Sequence, residues 1–232
     1  MQKIQMSEQL ALGLPARADY SAAQFVNGEA NAAARSALAR WRDWPNGVLA
    51  LVGPPGSGKS HMAAMWREES GARLVNPTQI EATLGTLETL GPVLIEDVDR
   101  GLDEDGLFHL LNRAAKESVL GILLTARSAP VKWATTIPDL QSRLRAMSVE
   151  ELHEPDDDLL RRVLEKLFRD QQSPIADGMI AYLLPRMERS VDGARRLVAE
   201  LDKVALARRT PVNRGVARRV LENWDETVES EG

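Results

Sequence analysis

A glycine-rich loop that carries a lysine and a hydroxyl group is the segment best equipped for chemistry. The segment is Gly53-Pro54-Pro55-Gly56-Ser57-Gly58-Lys59-Ser60, and it fits the pattern G-x-x-x-x-G-K-[ST]. In such a loop, backbone N–H groups point at phosphate oxygens, the lysine reaches the β- and γ-phosphates, and the final hydroxyl ligates Mg²⁺. The chain has six lysines against 23 arginines, so a lysine at this position is informative. The pattern predicts a nucleotide site at residues 53–60.

Two adjacent carboxylates after the apolar run 93–95 are the next candidates. At the end of a neighbouring strand, one carboxylate can hold Mg²⁺ and the next can polarise an attacking water. We assign the metal role to Glu96, beside Ser60, and the catalytic role to Asp97. The usual order is Asp then Glu, so the reversed order favours Mg²⁺ binding over efficient hydrolysis. The alternative is an ordinary buried strand that enters a polar turn.

Short apolar runs that alternate with helical patterns predict the elements that position these groups. The expected strands are 48–52, 73–75, 93–96, 121–125 and 147–151, and the expected helices are 22–41, 59–70, 106–116 and 139–146. This alternation is typical of an α/β fold in which helices flank a parallel sheet. Thr125 ends one strand and is expected to contact the γ-phosphate or the attacking water, with a simple strand cap as the alternative.

Beyond His153 the sequence contains only helical patterns. Pro155 and the acidic run 156–158 are typical of a helix start, because carboxylates favour the positive end of a helix. The expected organisation is a flexible tail at 1–17, a nucleotide-binding core at 18–153 and an all-helical lid at 154–232. Residues 186–219 carry ten basic and four acidic side chains, which suit either a solvated helix face or a surface near DNA.

Composition narrows the function classes further. Acidic residues outnumber basic ones by 34 to 29, which argues against a protein that binds DNA mainly by phosphate attraction. Without cysteine, disulfide scaffolds, zinc fingers and thiol nucleophiles are excluded, and three scattered histidines make a histidine-based metal cluster improbable. No apolar stretch is long enough for a membrane span or a signal peptide, so we expect a cytoplasmic protein with no membrane partner.

Several motifs, in their order along the chain, resemble the AAA+ ATPases of the DnaA family. The segment Phe25-Val26-Asn27-Gly28 with Asn31 resembles the motif on the adenine side, and Gly58-Lys59-Ser60-His61 resembles the end of the P-loop. Ser142-Arg143-Leu144 resembles the element that carries the arginine finger. Arg189-Ser190-Val191-Asp192-Gly193-Ala194 resembles the sensor 2 helix.

The resemblance implies a role for each matching residue. Val26 and His61 would join the nucleotide-binding residues, although the position of His61 in the first helical turn also suits packing. Arg143 would be the arginine finger, and Arg189 would sense phosphate. Where the family has Thr-Ser-Asp or similar at a strand end, this chain has Thr125-Ala126-Arg127, so the sensor 1 contact departs from the pattern.

The tail carries a second recognition motif. Gln9, Leu10, Leu12 and Leu14 fit Q-L-x-L-x-L, which resembles the peptide by which bacterial replication proteins dock on the β sliding clamp. Leucines of such a peptide would fill an apolar pocket while the glutamine hydrogen-bonds at its rim. The alternative is a tail that packs on its own domain.

Together these features resemble the truncated regulatory members of the DnaA family, which lack its DNA-binding domain. The resemblance implies a protein that binds ADP or ATP with Mg²⁺, docks on the DNA-loaded clamp and stimulates ATP hydrolysis by DnaA. Its own ATPase activity is expected to be weak, and sequence-specific DNA binding is not expected. The alternative is a self-contained AAA+ ATPase such as a DnaC-type helicase loader. The sequence does not decide whether the protein forms a homo-oligomer.

Overall fold

A parallel β-sheet forms the centre of the N-terminal part of the molecule. The computed structural model describes residues 25–86, 91–117, 121–173 and 175–228. Within these residues the strands are β1 (Val48–Val52), β2 (Arg73–Val75), β3 (Val93–Ile95), β4 (Ile122–Ala126) and β5 (Ser148–Glu151). Their order is β2-β3-β4-β1-β5 and every pair is parallel. The predicted α/β fold is confirmed, and the carboxyl ends of β1, β3 and β4 lie at one edge.

Helices cover both faces of this sheet. They are α1 (Ala32–Ala39), α2 (Lys59–Ser70), α3 (Ile80–Leu84), α4 (Glu104–Glu117) and α5 (Pro138–Arg145). On one face, α1 and α2 pack with Trp41, Trp44 and Trp66, whose rings lie edge-on or stacked. On the other face, apolar residues of α3, α4 and α5 form a second layer. Burial on both faces explains why all five residues of β1 are apolar and buried.

The first helix is shorter than the periodicity of residues 22–41 predicts. It covers only Ala32–Ala39, and Gly28 before it is extended, with φ −145° and ψ 169°. The Asn31 side chain accepts a hydrogen bond from the Gly28 N–H (3.1 Å) and donates one to the Val26 carbonyl (2.9 Å). Asparagine competes with the helix for backbone groups in this way, so the chain leaves the helix here.

The C-terminal part is helical, as expected. It contains α6 (Asp157–Asp170), α7 (Met179–Leu183), α8 (Val191–Arg208) and α9 (Arg214–Val228), which share an apolar core of their own. Asp156 caps α6 by accepting a hydrogen bond from the Leu159 N–H at 2.7 Å, at the predicted helix start. None of the helices in the described residues is long and apolar enough to cross a membrane.

The connection between the sheet and the lid runs beside the glycine-rich loop. The Leu152 N–H, just after β5, donates to the Val52 carbonyl at 2.7 Å. A Cβ atom on Gly53 would lie 2.2 Å from the Leu152 carbonyl oxygen, so only glycine permits this approach. The first residue of the loop is therefore packed against the start of the connection to the lid.

Candidate functional site

A pocket between the glycine-rich loop and the lid is the candidate site. Its charged and polar residues come mainly from the loop, the strand ends and α8, whereas its apolar residues come mainly from the segment before α1 and from α6. The lining residues are Phe25, Val26, Asn31, Pro55, Gly56, Ser57, Gly58, Lys59, Ser60, His61, Met62, Asp97, Arg127, Leu159, Val163, Lys166, Leu167, Val191, Asp192 and Arg195. Such a mixed lining suits a ligand with an apolar ring and an anionic tail.

The glycine-rich loop has the geometry expected of a phosphate cradle. Gly56 and Gly58 have φ of +71° and +100°, values that L side chains rarely adopt. The loop ends at the N-terminus of α2, where backbone N–H groups and the helix dipole favour an anion. Of the predicted loop residues, all from Pro55 to Ser60 line the pocket, while Gly53 and Pro54 do not.

Lys59 is held inside the loop. Its Nζ donates to the carbonyl oxygens of Gly53 and Pro54, each at 2.7 Å, and the residue is only 7% exposed. Burial lowers the pKa of Lys59; the Asp97 charge opposes this shift and the Arg127 charge adds to it. The Lys59 side chain thus lies inside the loop, held by two of the loop's carbonyl groups.

The structure brings the two predicted metal ligands together. The Ser60 hydroxyl hydrogen-bonds to the Glu96 carboxylate, which follows β3. Burial raises the pKa of Glu96 and the Asp97 charge raises it further, while the Ser60 hydrogen bond and the Arg67 charge act against the shift. A hydroxyl and a carboxylate are hard oxygen ligands, which fit Mg²⁺ when phosphate and water complete its shell. No cluster of three or more His, Cys, Asp or Glu side chains suited to a metal occurs among the described residues.

Asp97 lines the pocket, but Thr125 does not. Asp97 has a left-handed backbone, with φ +53°, and its N–H donates to the Thr125 hydroxyl oxygen at 3.1 Å. Thr125 is 1% exposed, and this bond ties the end of β4 to the end of β3. In this placement Thr125 acts as the strand cap of the alternative interpretation; its contact with phosphate stays a prediction.

Arg127 is a pocket residue that the sequence flagged only as a departure from the family pattern. It lies just after β4, where the Asp99 carboxylate accepts hydrogen bonds from the N–H groups of Arg127 (2.8 Å) and Ser128 (2.9 Å). These bonds fix the turn, and the Arg127 side chain lines the pocket. The site therefore has a cation where the family pattern has an acidic residue.

Of two lid arginines, Arg195 lines the pocket and Arg189 does not, and the phosphate-sensing role of Arg189 stays a prediction. Arg189 precedes α8, forms an ion pair with Asp157 at 2.7 Å and does not line the pocket. Arg195, one turn inside α8, lines it, and its Nη2 donates to His61 Nδ1 at 2.8 Å. Because Val191 also lines the pocket, a spacing of four residues puts Arg195 on the same helical face. The sequence alone gives no signal for this choice, because only the structure shows that Val191 lines the pocket.

Arg143 lies away from the pocket. It is exposed on α5, and its Nη2 donates to Asn112 Oδ1 on α4 at 2.6 Å. Arg143 is not among the residues that line the pocket, and its role as an arginine finger stays a prediction. The predicted clamp-binding residues Gln9, Leu10, Leu12 and Leu14 fall outside the described residues.

Several residues in the basic segment of the lid form ion pairs or line a second cavity. Arg196 pairs with Glu188, and Lys203 pairs with Glu200. Arg208, Arg218 and Arg219 line an open polar cavity between the end of α8 and the start of α9.

Comparison with known proteins supports the fold assignment. No family model matches the sequence. An uncharacterised protein of Haemophilus influenzae is 25% identical over 172 residues, which are 67% of this chain and 73% of that protein. Domain III of the Thermotoga maritima replication initiation protein DnaA superposes with a TM-score of 0.73 at 19% identity, over 90% of this chain and 98% of that domain.

Two further structures share the fold. The initiator DnaA bound to AMPPCP and single-stranded DNA gives a TM-score of 0.64 at 18% identity, over 80% of this chain. A single-residue variant of Thermotoga maritima RuvB gives 0.69 at 17% identity, over 88% of this chain and 71% of that one. The chain spans 65% of the length of that DnaA structure. The fold is therefore that of domain III of DnaA, a parallel sheet flanked by helices with a helical C-terminal part.

Proposed function

We propose that this protein binds adenine nucleotide, ADP or ATP with Mg²⁺, and regulates bacterial replication initiation in the manner of Hda, a truncated relative of DnaA. The observation that carries the proposal is the pocket that the glycine-rich loop and the lid close together. Lys59, Arg127, Lys166 and Arg195 supply four cations to its lining against the carboxylates of Asp97 and Asp192, and this positive balance suits the phosphates of a nucleotide. Phe25 and Val26 offer an apolar wall for the base.

Each role in this nucleotide site falls to particular residues of the chain. The loop N–H groups and Lys59 bind and orient the phosphates, and Ser60 with Glu96 would hold Mg²⁺, which neutralises phosphate charge when bound. Asp97 lines the pocket where a water could approach the phosphate end. That a DnaA structure was determined with AMPPCP is consistent with an adenine nucleotide in this fold.

The regulatory part of the proposal rests on Arg143 and on the tail. Arg143 is exposed on α5, outside the chain's own pocket, so it suits a role on the ATP of a second protein such as DnaA. An arginine supplied in this way stabilises the charge that develops during phosphoryl transfer. The Gln9–Leu14 motif would bring the protein to the β clamp on DNA, which suits a chain whose net charge is −5.

The decisive experiment measures ADP formation by ATP-loaded DnaA in the presence of clamp-loaded DNA. We expect the wild-type protein to accelerate hydrolysis, and Arg143→Ala to reduce the stimulation at least 100-fold, because a trans-acting arginine contributes about 10³–10⁵ to such a rate. Arg145→Ala on the same helix is the matched control and should retain stimulation. A Gln9→Ala, Leu10→Ala double variant should lose the part of the stimulation that depends on clamp-loaded DNA.

Equal stimulation by Arg143→Ala and Arg145→Ala would refute the trans-acting role. The placement of Asp97 in the pocket lining favours one alternative, a self-contained AAA+ ATPase. That alternative predicts ATP turnover in the absence of DnaA, lost in Asp97→Ala and unchanged in Arg143→Ala.

A further inference from the structure

We propose that His61 is the positioning residue for Arg195, and that it holds the guanidinium at the phosphate end of the pocket. The inference deepens the nucleotide-binding function proposed above and rests on it. Its basis is a direct contact between core and lid: Arg195 Nη2 lies 2.8 Å from His61 Nδ1.

The chemistry of the contact defines the state of the histidine. A guanidinium has only N–H donors, so His61 Nδ1 must accept and must carry no proton. The imidazole is therefore neutral, with its proton on Nε2. His61 is 4% exposed, and a charge-assisted hydrogen bond in such surroundings is stronger than one in water.

The histidine ring is fixed relative to the glycine-rich loop. His61 belongs to the first turn of α2, two residues after Lys59, and the Phe25 ring meets it edge to face with centroids 5.1 Å apart. A bond from Arg195 to this ring therefore sets the position of the guanidinium with respect to Lys59.

The backbone that carries Arg195 is anchored at the same loop. The Val191 N–H donates to the Gly56 carbonyl at 3.1 Å, and Ser190 caps α8 by accepting from the Gly193 N–H at 2.8 Å. Arg195 lies one turn farther along, on the face that lines the pocket. A guanidinium presents five donors, so it can hold His61 and a phosphate oxygen together.

This arrangement prepares the arginine before the ligand arrives. An arginine that samples many rotamers must be ordered on binding, and ordering one long side chain weakens affinity several-fold. We expect His61 to supply this order through its Nδ1 acceptor, independently of the ring's bulk.

The experiment uses two histidine replacements of nearly equal shape. His61→Asn places an amide oxygen close to the original Nδ1 and keeps an acceptor, whereas His61→Leu removes it. The dissociation constant for ADP with Mg²⁺ is measured for both, for Arg195→Ala and for the His61→Leu, Arg195→Ala double variant. Circular dichroism melting checks each fold, and Lys59→Ala serves as the reference for loss of binding.

We expect Arg195→Ala to weaken ADP binding by about 10-fold and His61→Leu by about 3- to 10-fold. His61→Asn should stay within about 2-fold of wild type, and the double variant should bind like Arg195→Ala alone, because the two residues act as one unit. Equal losses in His61→Asn and His61→Leu, additive losses in the double variant, or wild-type affinity in His61→Leu would each overturn the inference while leaving nucleotide binding intact. A wild-type chain that binds no ADP would overturn both proposals.

Discussion

At the end of β3, the chain keeps an acidic residue in surroundings that disfavour its charge. Burial raises the pKa of Glu96, and the neighbouring Asp97 charge raises it further, against the hydrogen bond from Ser60. An ionised Glu96 therefore destabilises the folded state relative to a neutral side chain. A divalent cation beside Ser60 would reverse this balance, so the proposed Mg²⁺ role would account for a carboxylate that lowers stability at this position.

Replacing Glu96 by glutamine should separate these two effects. Below the ordinary glutamate range the carboxyl is protonated in both states, so Glu96→Gln and wild type should melt alike. As the pH rises through and above that range, the unfolded chain ionises first and the wild type loses stability relative to the variant. At pH 7.5, without metal and nucleotide, we expect Glu96→Gln to melt about 1–2 °C higher, a small gain because the site is partly exposed.

The same variant should lose the benefit of Mg²⁺ for nucleotide binding. Differential scanning calorimetry between pH 4 and pH 8, with and without Mg²⁺-ADP, provides both readouts. A constant difference in melting temperature across this range would contradict the assigned cause of the pKa shift.

At the scale of elements, the start of α8 packs directly against the glycine-rich loop. A Cβ atom on Gly56 would lie 2.4 Å from the Ser190 Cβ, and the Val191 N–H donates to the Gly56 carbonyl. The helix therefore docks directly on the backbone of the loop. This contact determines where the residues of α8 that line the pocket lie.

Gly56→Ala should destabilise the nucleotide-free protein more than Gly58→Ala. Both glycines have positive φ, so both variants share a backbone strain of about 1–2 kcal/mol. Only Gly56 meets the lid, since nothing lies within 4 Å of a Cβ on Gly58. We expect an additional loss of about 1–3 kcal/mol in Gly56→Ala, measured by urea denaturation. Equal losses in the two variants would mean that the lid moves away from the loop without resistance.

A second set of contacts fixes the element that carries Arg143. The Glu104 carboxylate, at the start of α4, accepts hydrogen bonds from the Thr136 N–H (2.7 Å) and the Thr135 hydroxyl (2.9 Å). The Thr136 backbone bond, followed by the Thr135 bond, lowers the pKa of Glu104. Together with the bond between Arg143 and Asn112, these contacts join α5 to α4 and hold the arginine at the surface.

At the scale of the whole molecule, the sheet and the lid have separate apolar cores that meet at the pocket. A ligand that contacts both parts stabilises them together. At a concentration 100 times its dissociation constant, ADP should add about 2.7 kcal/mol of stability. For a chain of this size, that corresponds to a rise of about 5–10 °C in melting temperature.

Lys59→Ala should lose most of this rise, because the loop then lacks its phosphate cation. Lys132→Ala, at an exposed position after β4, is the control and should keep it. Thermal melting followed by circular dichroism gives the comparison. An unchanged melting temperature in saturating ADP would argue against nucleotide binding at this pocket.

The sequence was informative wherever local pattern determines structure. Apolar runs placed the strands, and the glycine and lysine spacing placed the loop, because each depends on residues close together in the chain. The helix predicted at 22–41 is too long. The Asn31 side chain hydrogen-bonds to the backbone of Val26 and Gly28, and apolar periodicity carries no information about such bonds.

Residues whose role depends on docking were harder to predict. Arg189 and Arg195 have the same side chain and lie six residues apart, but only the packing of α8 on the loop shows which one lines the pocket. Thr125 and Arg127 are a second pair of this kind, since only Arg127 lines the pocket. Their positions depend on bonds across the sheet, from the Asp97 N–H to the Thr125 hydroxyl and from the Arg127 N–H to the Asp99 carboxylate. Such contacts join segments that are distant in sequence, and no local pattern encodes them.

The glycine-rich loop is packed against the lid at two places, Gly53 on Leu152 and Gly56 on Ser190. The first contact lies at the start of the connection to the lid and the second at the beginning of α8. A loop that shifts when it binds phosphate would displace the lid at both contacts together. The position of the lid should therefore depend on whether the loop holds phosphate, so a change at the loop would alter the outer surface of the lid as well as the pocket.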